Sequence, residues 1–424
     1  MLASLLAAFK LPDLRKRILF VFGMFAIYVV GLHIPVPGID KAAMERLFSN
    51  SDLLGMVDVF SGGALRKFTI FAMGIAPYIN ASIIMQLLTV AVPSLEALAK
   101  EGEHGRKMIS QYTRYLTVAL AVIQAFGVSR MLMSGSVKAL SASTPEFIQI
   151  IITLAAGTAF LMWVGEQITD KGVGNGVSLV IFAGIVASIP VMMKDTIDYT
   201  RSGSIQPWQL LLFAIIFLGT IVGIVAIQQA QRKIPIQHVK RVVGTKVYGG
   251  SSSFLPLRVN SAGVIPIIFA ISIQLFPVTI SQFWPQIGWM KRFAEAISPG
   301  ANWWAAMLYA AFIIFFTYFY TAVTFNVPEV ADNLKKYGSF IPGIRPGKPT
   351  LEYLDKVMSR ITLAGAIFLS IIALMPYYTP MITGITTFSL VGGTSLLIVV
   401  GVALETMQAI ESHLLMRNYE GFIK

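Results

Sequence analysis

The sequence contains no cysteine, which removes a disulfide framework, a thiolate metal site and a thiol nucleophile together. Its four histidines, His33, His104, His238 and His413, are scattered, so neither a metal centre nor another cofactor is expected. Charge is also scarce: Asp, Glu, Lys and Arg make up 13% of 424 residues, against roughly a quarter in soluble proteins. A chain that is 55% hydrophobic, with mean hydropathy +0.71, cannot cover a soluble surface with polar groups. Hydrocarbon is therefore the expected solvent for most of it.

Catalytic patterns are missing too. No H-E-x-x-H, Walker A lysine loop or G-x-S-x-G elbow occurs, so an enzyme is not expected. The glycine-rich GVGNG at 172–176 follows an apolar helical stretch rather than a strand, and reads as a tight turn instead of a phosphate cradle. Ionisable groups are nearly absent from the apolar stretches. The clearest exception is Glu405, expected as an interfacial acid near the end of the last one. That scarcity weighs against an ion-coupled carrier or pump, which needs titratable groups at mid-span. No A-x-A-like cleavage site follows the apolar run from Ile18, so the first span is expected to stay as an anchor.

What is present is a succession of ten apolar stretches: roughly 18–34, 75–92, 112–133, 147–164, 177–193, 208–230, 262–281, 303–325, 361–378 and 390–410. Trp163, Trp208, Trp284, Trp289, Trp303 and Trp304 fall at or near their ends, where amphipathic rings favour the membrane interface. With the N-terminus inside, 23 of the 33 Lys and Arg residues lie on the cytoplasmic side and 10 outside. The positive-inside rule then puts both termini in the cytoplasm. The same rule accounts for the net charge of +12, which forms no single groove for nucleic acid.

Three connecting segments carry information. Residues 231–260 mix basic, β-branched and turn-forming residues, and read as a hairpin-like protrusion. Residues 326–360 carry Lys335, Lys336, Arg345, Lys348, Lys356 and Arg360, with Pro342, Pro346 and Pro349 stiffening the tip. Each is longer than a connection requires, and is either a solvated inside loop or a docking site for a large partner. The outer segment 35–74 is too polar to cross lipid, yet its part from Phe60 to Ile75 is too apolar to float in water. It is expected to fold back into the bundle as a half-helix, since irregular backbone at membrane depth survives only inside protein or in a wet cavity. Ile75, Ile79 and Ile83 then share a helix face. Such a stripe is ordinary bundle packing or part of a dewetting constriction that holds back ions.

Six stretches in order carry a family resemblance: VFSGGALRKFTIFAMGIAPYINASIIMQLLTV, EGEHGRKMISQYTRY, FLMWVGEQITDKGVGNGVSLVIFAGIVA, LPLRVNSAGVIPIIFA, NVPEVADNLKKYGSFIPGIRPGKPT and GGTSLLIVV. They closely resemble the SecY family, the central subunits of the bacterial Sec protein-conducting channel, from about Leu14 to the C-terminus. The resemblance implies an all-α polytopic membrane protein whose ten transmembrane helices form two pseudo-symmetric five-helix halves around a central pore. The halves are 1–194 and 207–424, joined by an external connection at 195–206. It implies a plug over about 60–74, with Phe60, Ser61, Gly62, Gly63, Ala64, Leu65, Arg66 and Lys67, and a pore ring of Ile75, Ile79, Ile181, Ile268 and Ile398, which Val264 joins. A lateral gate would lie between spans two and three and spans seven and eight, with Gln86 and Gln124 on its seam.

Lys240, Arg241, Lys246 and Arg345 would meet cytoplasmic partners. Gly244-Thr245-Lys246 stands where the family often shows a more basic GRR-like triplet. The implied partners are the small membrane subunits SecE and SecG, the SecA ATPase motor, the translating ribosome, signal-peptide-bearing polypeptides and membrane lipid. The implied location is the bacterial cytoplasmic membrane. The competing reading, a secondary transporter for a small solute, lacks the buried acids and arginines it would need.

Overall fold

The computed structural model describes residues 9–49, 58, 61–134, 143–203, 205–238, 241–243, 246–248, 252–283, 288–298, 302–385 and 393–420. In chain order its helices and strands are α1 (Pro12–Gly31), α2 (Lys41–Ser49), α3 (Ala76–Ala91), α4 (Pro93–Lys100), α5 (Glu103–Ser134), α6 (Thr144–Lys171), α7 (Gly176–Arg201) and α8 (Pro207–Gln229), then β1 (Gln231–His238), β2 (Arg241–Val243), β3 (Lys246–Tyr248) and β4 (Ser252–Arg258), then α9 (Ile265–Phe283), α10 (Gly288–Ile297), α11 (Trp303–Thr324), α12 (Val327–Lys336), β5 (Ser339–Phe340), α13 (Lys348–Thr383) and α14 (Thr394–Glu420).

Each of the ten apolar stretches falls on one helix: α1, α3, α5, α6, α7, α8, α9, α11, α13 and α14. Seven helices among the described residues are long and apolar enough by themselves to cross a membrane, and eight if α3 and α4 count as one broken span. The break is a 98° bend with a local cause. Val92 precedes Pro93, and a residue before proline is pushed out of the helical region; it sits at φ −107°, ψ 113°. The opening turns of α1 carry Asp13, Arg15, Lys16 and Arg17, so its apolar part begins at Ile18.

Most long helices start on a proline in the first turn, where its missing N–H costs nothing, as at Pro12, Pro77, Pro145, Pro207 and Pro349. Ser143 and Glu146 add a capping box to α6, with the Ser143 N–H donating to Glu146 Oε2 at 2.7 Å. Asn175 caps α7, its Oδ1 accepting from the N–H groups of Val177 and Ser178. The helix that follows runs on to Arg201, so the connection expected at 195–206 begins as helix.

Two apolar clusters fill the bundle, and each borrows a helix from the other half. The first takes Tyr28 from α1 and Leu32 just after it, Leu161 and Ile168 from α6 and Ile181 and Ile185 from α7, and adds Ile398 and Val402 from α14. The second takes Ile224 from α8, Ile267 and Ile271 from α9, Tyr309 and Phe316 from α11 and Leu369 from α13, and adds Ile83 from α3.

At one end of the bundle the two long loops make a single platform. Strand β1 pairs antiparallel with β4 from Gln231–Arg258 to Gln237–Ser252, and with β5 through Gln237–Phe340 and His238–Ser339, giving the order β4-β1-β5. Alternation along β1 buries Ile234 and Ile236. Ile234 packs with Leu257, Ala331, Ile341, Leu354 and Met358 in a core of its own. A second, two-stranded ribbon pairs β2 with β3, Arg241 opposite Tyr248 and Val243 opposite Lys246. The hairpin expected of 231–260 is therefore present. That 326–360 contributes a strand to the same sheet was not expected.

Candidate functional site

The five isoleucines of the expected ring converge where the two clusters meet. Ile75, Ile181 and Ile398 are buried members of the first cluster. Ile268 packs against the second, while Ile79 and Val264 pack against both. Five elements thus contribute apolar side chains to the junction of the two clusters: the turn before α3, then α3, α7, α9 and α14. Beside them lies a cavity of about 10 Å³ lined by Val264, Ile267, Ile268, Ile271, Thr394, Leu397 and Ile398. That volume holds about one water, and the lining, apolar except for Thr394, offers it few partners.

The segment beside the neck is built of turns. Helical backbone is described at Asp58 and Ser61, but 62–75 runs as successive turns, which corrects the half-helix expected there. The physical reason lies in its left-handed residues: Gly62 (φ +71°), Gly63 (φ +82°), Phe68 (φ +44°) and Gly74 (φ +56°) each break an α-helical run. Gly62 is also a close approach, because a Cβ there would stand 2.8 Å from the Gly184 Cα on α7. Phe68 holds a conformation strained for a bulky residue, and its surroundings over-determine it. Its ring is fully buried, its N–H donates to the Leu65 carbonyl and its carbonyl accepts from the Val36 N–H at 2.9 Å. A second backbone bond runs from the Ile70 N–H to the Ile34 carbonyl.

Backbone contact fixes this segment more than side-chain shape does. Gly157 on α6 lies against the Ile70 carbonyl so closely that any Cβ would collide with it. The Tyr28 hydroxyl donates to the Ser61 carbonyl at 3.1 Å, and its ring stacks on Phe71 at 5.9 Å, which in turn stacks on Phe160 at 6.0 Å. Ala64 and Leu65 are buried, whereas Arg66 and Lys67 reach the surface, which is why a charged pair can interrupt so apolar a segment. Asp58 organises the start, its Oδ1 accepting from the Ser61 hydroxyl and the Arg66 N–H. Burial pushes its carboxyl above the usual carboxylate range, and the hydrogen bonds from Arg66 and Ser61 oppose that shift. Phe60 lies outside the described residues.

On the seam of the expected gate, α9 packs against both α5 and α11, and α3 packs against α5. Gln86 is exposed and Gln124 half-buried, and neither side chain hydrogen-bonds another described residue. They are therefore not interhelical clasps. A polar residue that does clasp helices, on the α9–α11 side of that seam, is Gln274 on α9, which the sequence reading missed. Its Nε2 donates to the Ile297 carbonyl at 2.6 Å and the Ala305 carbonyl at 2.9 Å. A glutamine inside an apolar helix was the available signal.

On the platform, Arg345 is exposed, and its carbonyl accepts from the Thr350 hydroxyl at 2.8 Å, fixing the turn into α13. Ser339 Oγ and His238 Nδ1 lie 2.8 Å apart and tie β5 to β1. Arg241 and Lys246 occupy the two-stranded ribbon, and Lys240 lies outside the described residues. Glu405 is exposed on α14, consistent with an interfacial acid. No group of three metal-ligating side chains occurs among the described residues.

Comparison with known proteins gives one consistent result. The SecY family profile matches residues 69–407. A protein translocase subunit SecY of Streptomyces scabiei is 46% identical over the whole of both chains. One from Vibrio cholerae is 46% identical over 98% of this chain and 95% of its own, and one from Aquifex aeolicus 46% over 99% and 98%. Among solved structures, a protein-conducting channel superposes with TM-score 0.65 at 19% identity, covering 94% of this chain and 92% of the other. Canine Sec61 in a ribosome-channel complex superposes with TM-score 0.62 at 18% identity over the same shares.

Proposed function

The chain belongs to the SecY family, and we propose that the junction of its two apolar clusters is the seal of the channel. The protein is the channel subunit of a membrane translocase: it passes unfolded secretory polypeptides across the membrane and releases hydrophobic segments sideways into it. It is not an enzyme. The observation that carries the proposed seal is the convergence of Ile75, Ile79, Ile181, Ile268 and Ile398 where both clusters end. A ring of branched apolar side chains sheds water and so holds back ions, yet its members can part around a polypeptide. Ser61 to Gly74 serves as the plug, lodged beside the ring by backbone contacts that displacement would break together. Halves 1–194 and 207–424 part at the seam of α3 and α5 against α9 and α11, Gln86 and Gln124 facing the exiting segment.

The platform is the cytoplasmic docking face, so both termini are cytoplasmic and the membrane is the bacterial inner membrane. Lys240, Arg241, Lys246 and Arg345 meet the SecA motor and the translating ribosome there, and SecE and SecG complete the complex. The channel supplies no energy of its own; a partner shifts a closed-to-open equilibrium that already exists. The test is conductance of the purified complex in planar bilayers. Replacing Ile79 and Ile268 together by Gly should raise resting ion flow at least tenfold. Unchanged resting conductance would sink the seal.

A further inference from the structure

Helix α10 is not accounted for by pore, plug or platform. It follows α9 at the end of the bundle opposite the sheet and divides into unlike faces. Ala294 is buried against the bundle. Trp289, Phe293 and Ala296, at helical spacing, are exposed, Trp289 by 69%, and Arg292 is exposed on the flank of that face. Trp303 and Trp304 are stacked at 3.9 Å and both exposed, Trp304 by 66%. Below them the same helix, α11, carries exposed Met307 and Phe315, the surface a spanning helix presents to lipid tails. The bare face of α10 thus shares the tryptophan-rich rim of a lipid-facing surface, the level that indole rings prefer.

Gln274 joins this rim to the gate. Its one amide group grips the last turn of α10 at Ile297 and the first turn of α11 at Ala305 from a fully buried position on α9. We propose that α10 lies in the headgroup layer of the membrane leaflet opposite the sheet, held there by Trp289 and Phe293, and that Gln274 couples it to α9. An amphipathic helix of this type lies in the interface plane with its apolar face among the acyl chains. The occupant of the bare face is lipid. The end of α9 that follows Gln274 therefore keeps a fixed depth, and α9, α10 and α11 move as one body. The seat in lipid is independent of the gate assignment; its effect on gating rests on that assignment.

A chain without cysteine lets single spin labels report on this directly. W289C, F293C and R292C are labelled in the purified complex, in nanodiscs of phosphatidylethanolamine and phosphatidylglycerol. Accessibility to oxygen, which partitions into lipid, is compared with that to a water-soluble nickel chelate. The expected oxygen-to-nickel ratio is at least fivefold higher at 289 and 293 than at 292. Ratios within twofold across the three positions mean a face in water, and protection from both reagents at 289 and 293 means a protein partner; either overturns the proposal. For the tie, Q274L leaves an apolar core apolar and should at least double the mobility of the label at 293. Unchanged mobility with an unchanged melting temperature overturns the coupling and leaves the gate assignment untouched.

Discussion

Two of the non-helical parts among the described residues are held in opposite ways. The turns from Gly62 to Gly74 pack inside the bundle with Arg66 and Lys67 reaching its surface; the sheet β4-β1-β5 stands outside it. The sheet satisfies its backbone by regular pairing and has its own small core around Ile234 and Leu354, so its rim can carry charge without endangering the fold. The turns have no ladder. They rely on close backbone contacts at Gly157 and Gly184, a tyrosine hydroxyl and a strained phenylalanine. A segment held by a few short contacts leaves its seat as a unit, whereas a paired sheet stays while partners come and go.

The sharpest way to break this contrast is G157A. A Cβ aimed at the Ile70 carbonyl cannot be absorbed by a flexible side chain, and overpacking of this kind costs about 1–3 kcal/mol. That is roughly 5- to 150-fold in the seating equilibrium. Thiol labelling of an A64C reporter by a water-soluble maleimide should accelerate by that factor in G157A; an unchanged rate would mean the segment is held otherwise. Y28F should have a milder effect, about 0.5–1.5 kcal/mol for a lost hydrogen bond to the Ser61 carbonyl, read by the same reporter.

Asp58 gives a smaller, pH-dependent effect. Its pKa is raised when the segment is seated, so the seated state binds the proton more tightly than the displaced one. Seating is therefore favoured at low pH, and that contribution is lost as pH rises through the seated value. Labelling of A64C, corrected for the pH dependence of thiol reactivity, should quicken from pH 5 to pH 8 in the wild type and flatten in D58N. On the platform, R345E should change stability least, within about 0.5 kcal/mol for an exposed side chain. It should nonetheless abolish motor-driven export into vesicles; normal export would remove Arg345 from the docking face.

How legible all this was in the sequence follows the same division. The ten helices could be read from apolar runs because each is set by its own composition, and the α3–α4 break could be read in Val92-Pro93. Strand β5 could not: Ser339–Phe340 is two residues long and exists only because β1 offers it an edge. The turns defeated the half-helix expectation for a related reason. Phe68 takes a left-handed conformation under contacts from residues 34–36, which no local pattern announces. Of the ring, Ile75 and Ile79 showed as a helical stripe. Ile181, Ile268 and Ile398 came from family resemblance, because meeting across five elements leaves no trace in spacing. Gln274 was visible as a polar residue in an apolar helix, but not its two carbonyl partners.

The exchange of helices between the clusters also bears on how the chain is made. Ile398 and Val402 complete the core of the first half, yet they lie in α14, more than 200 residues further along the chain than most of that core. Ile181 emerges 217 residues earlier, an interval of about 10–40 s at about 5–20 residues per second. Through that time the first half is missing part of its own interior. Its side of the neck reaches its final packing only once α14 has been made.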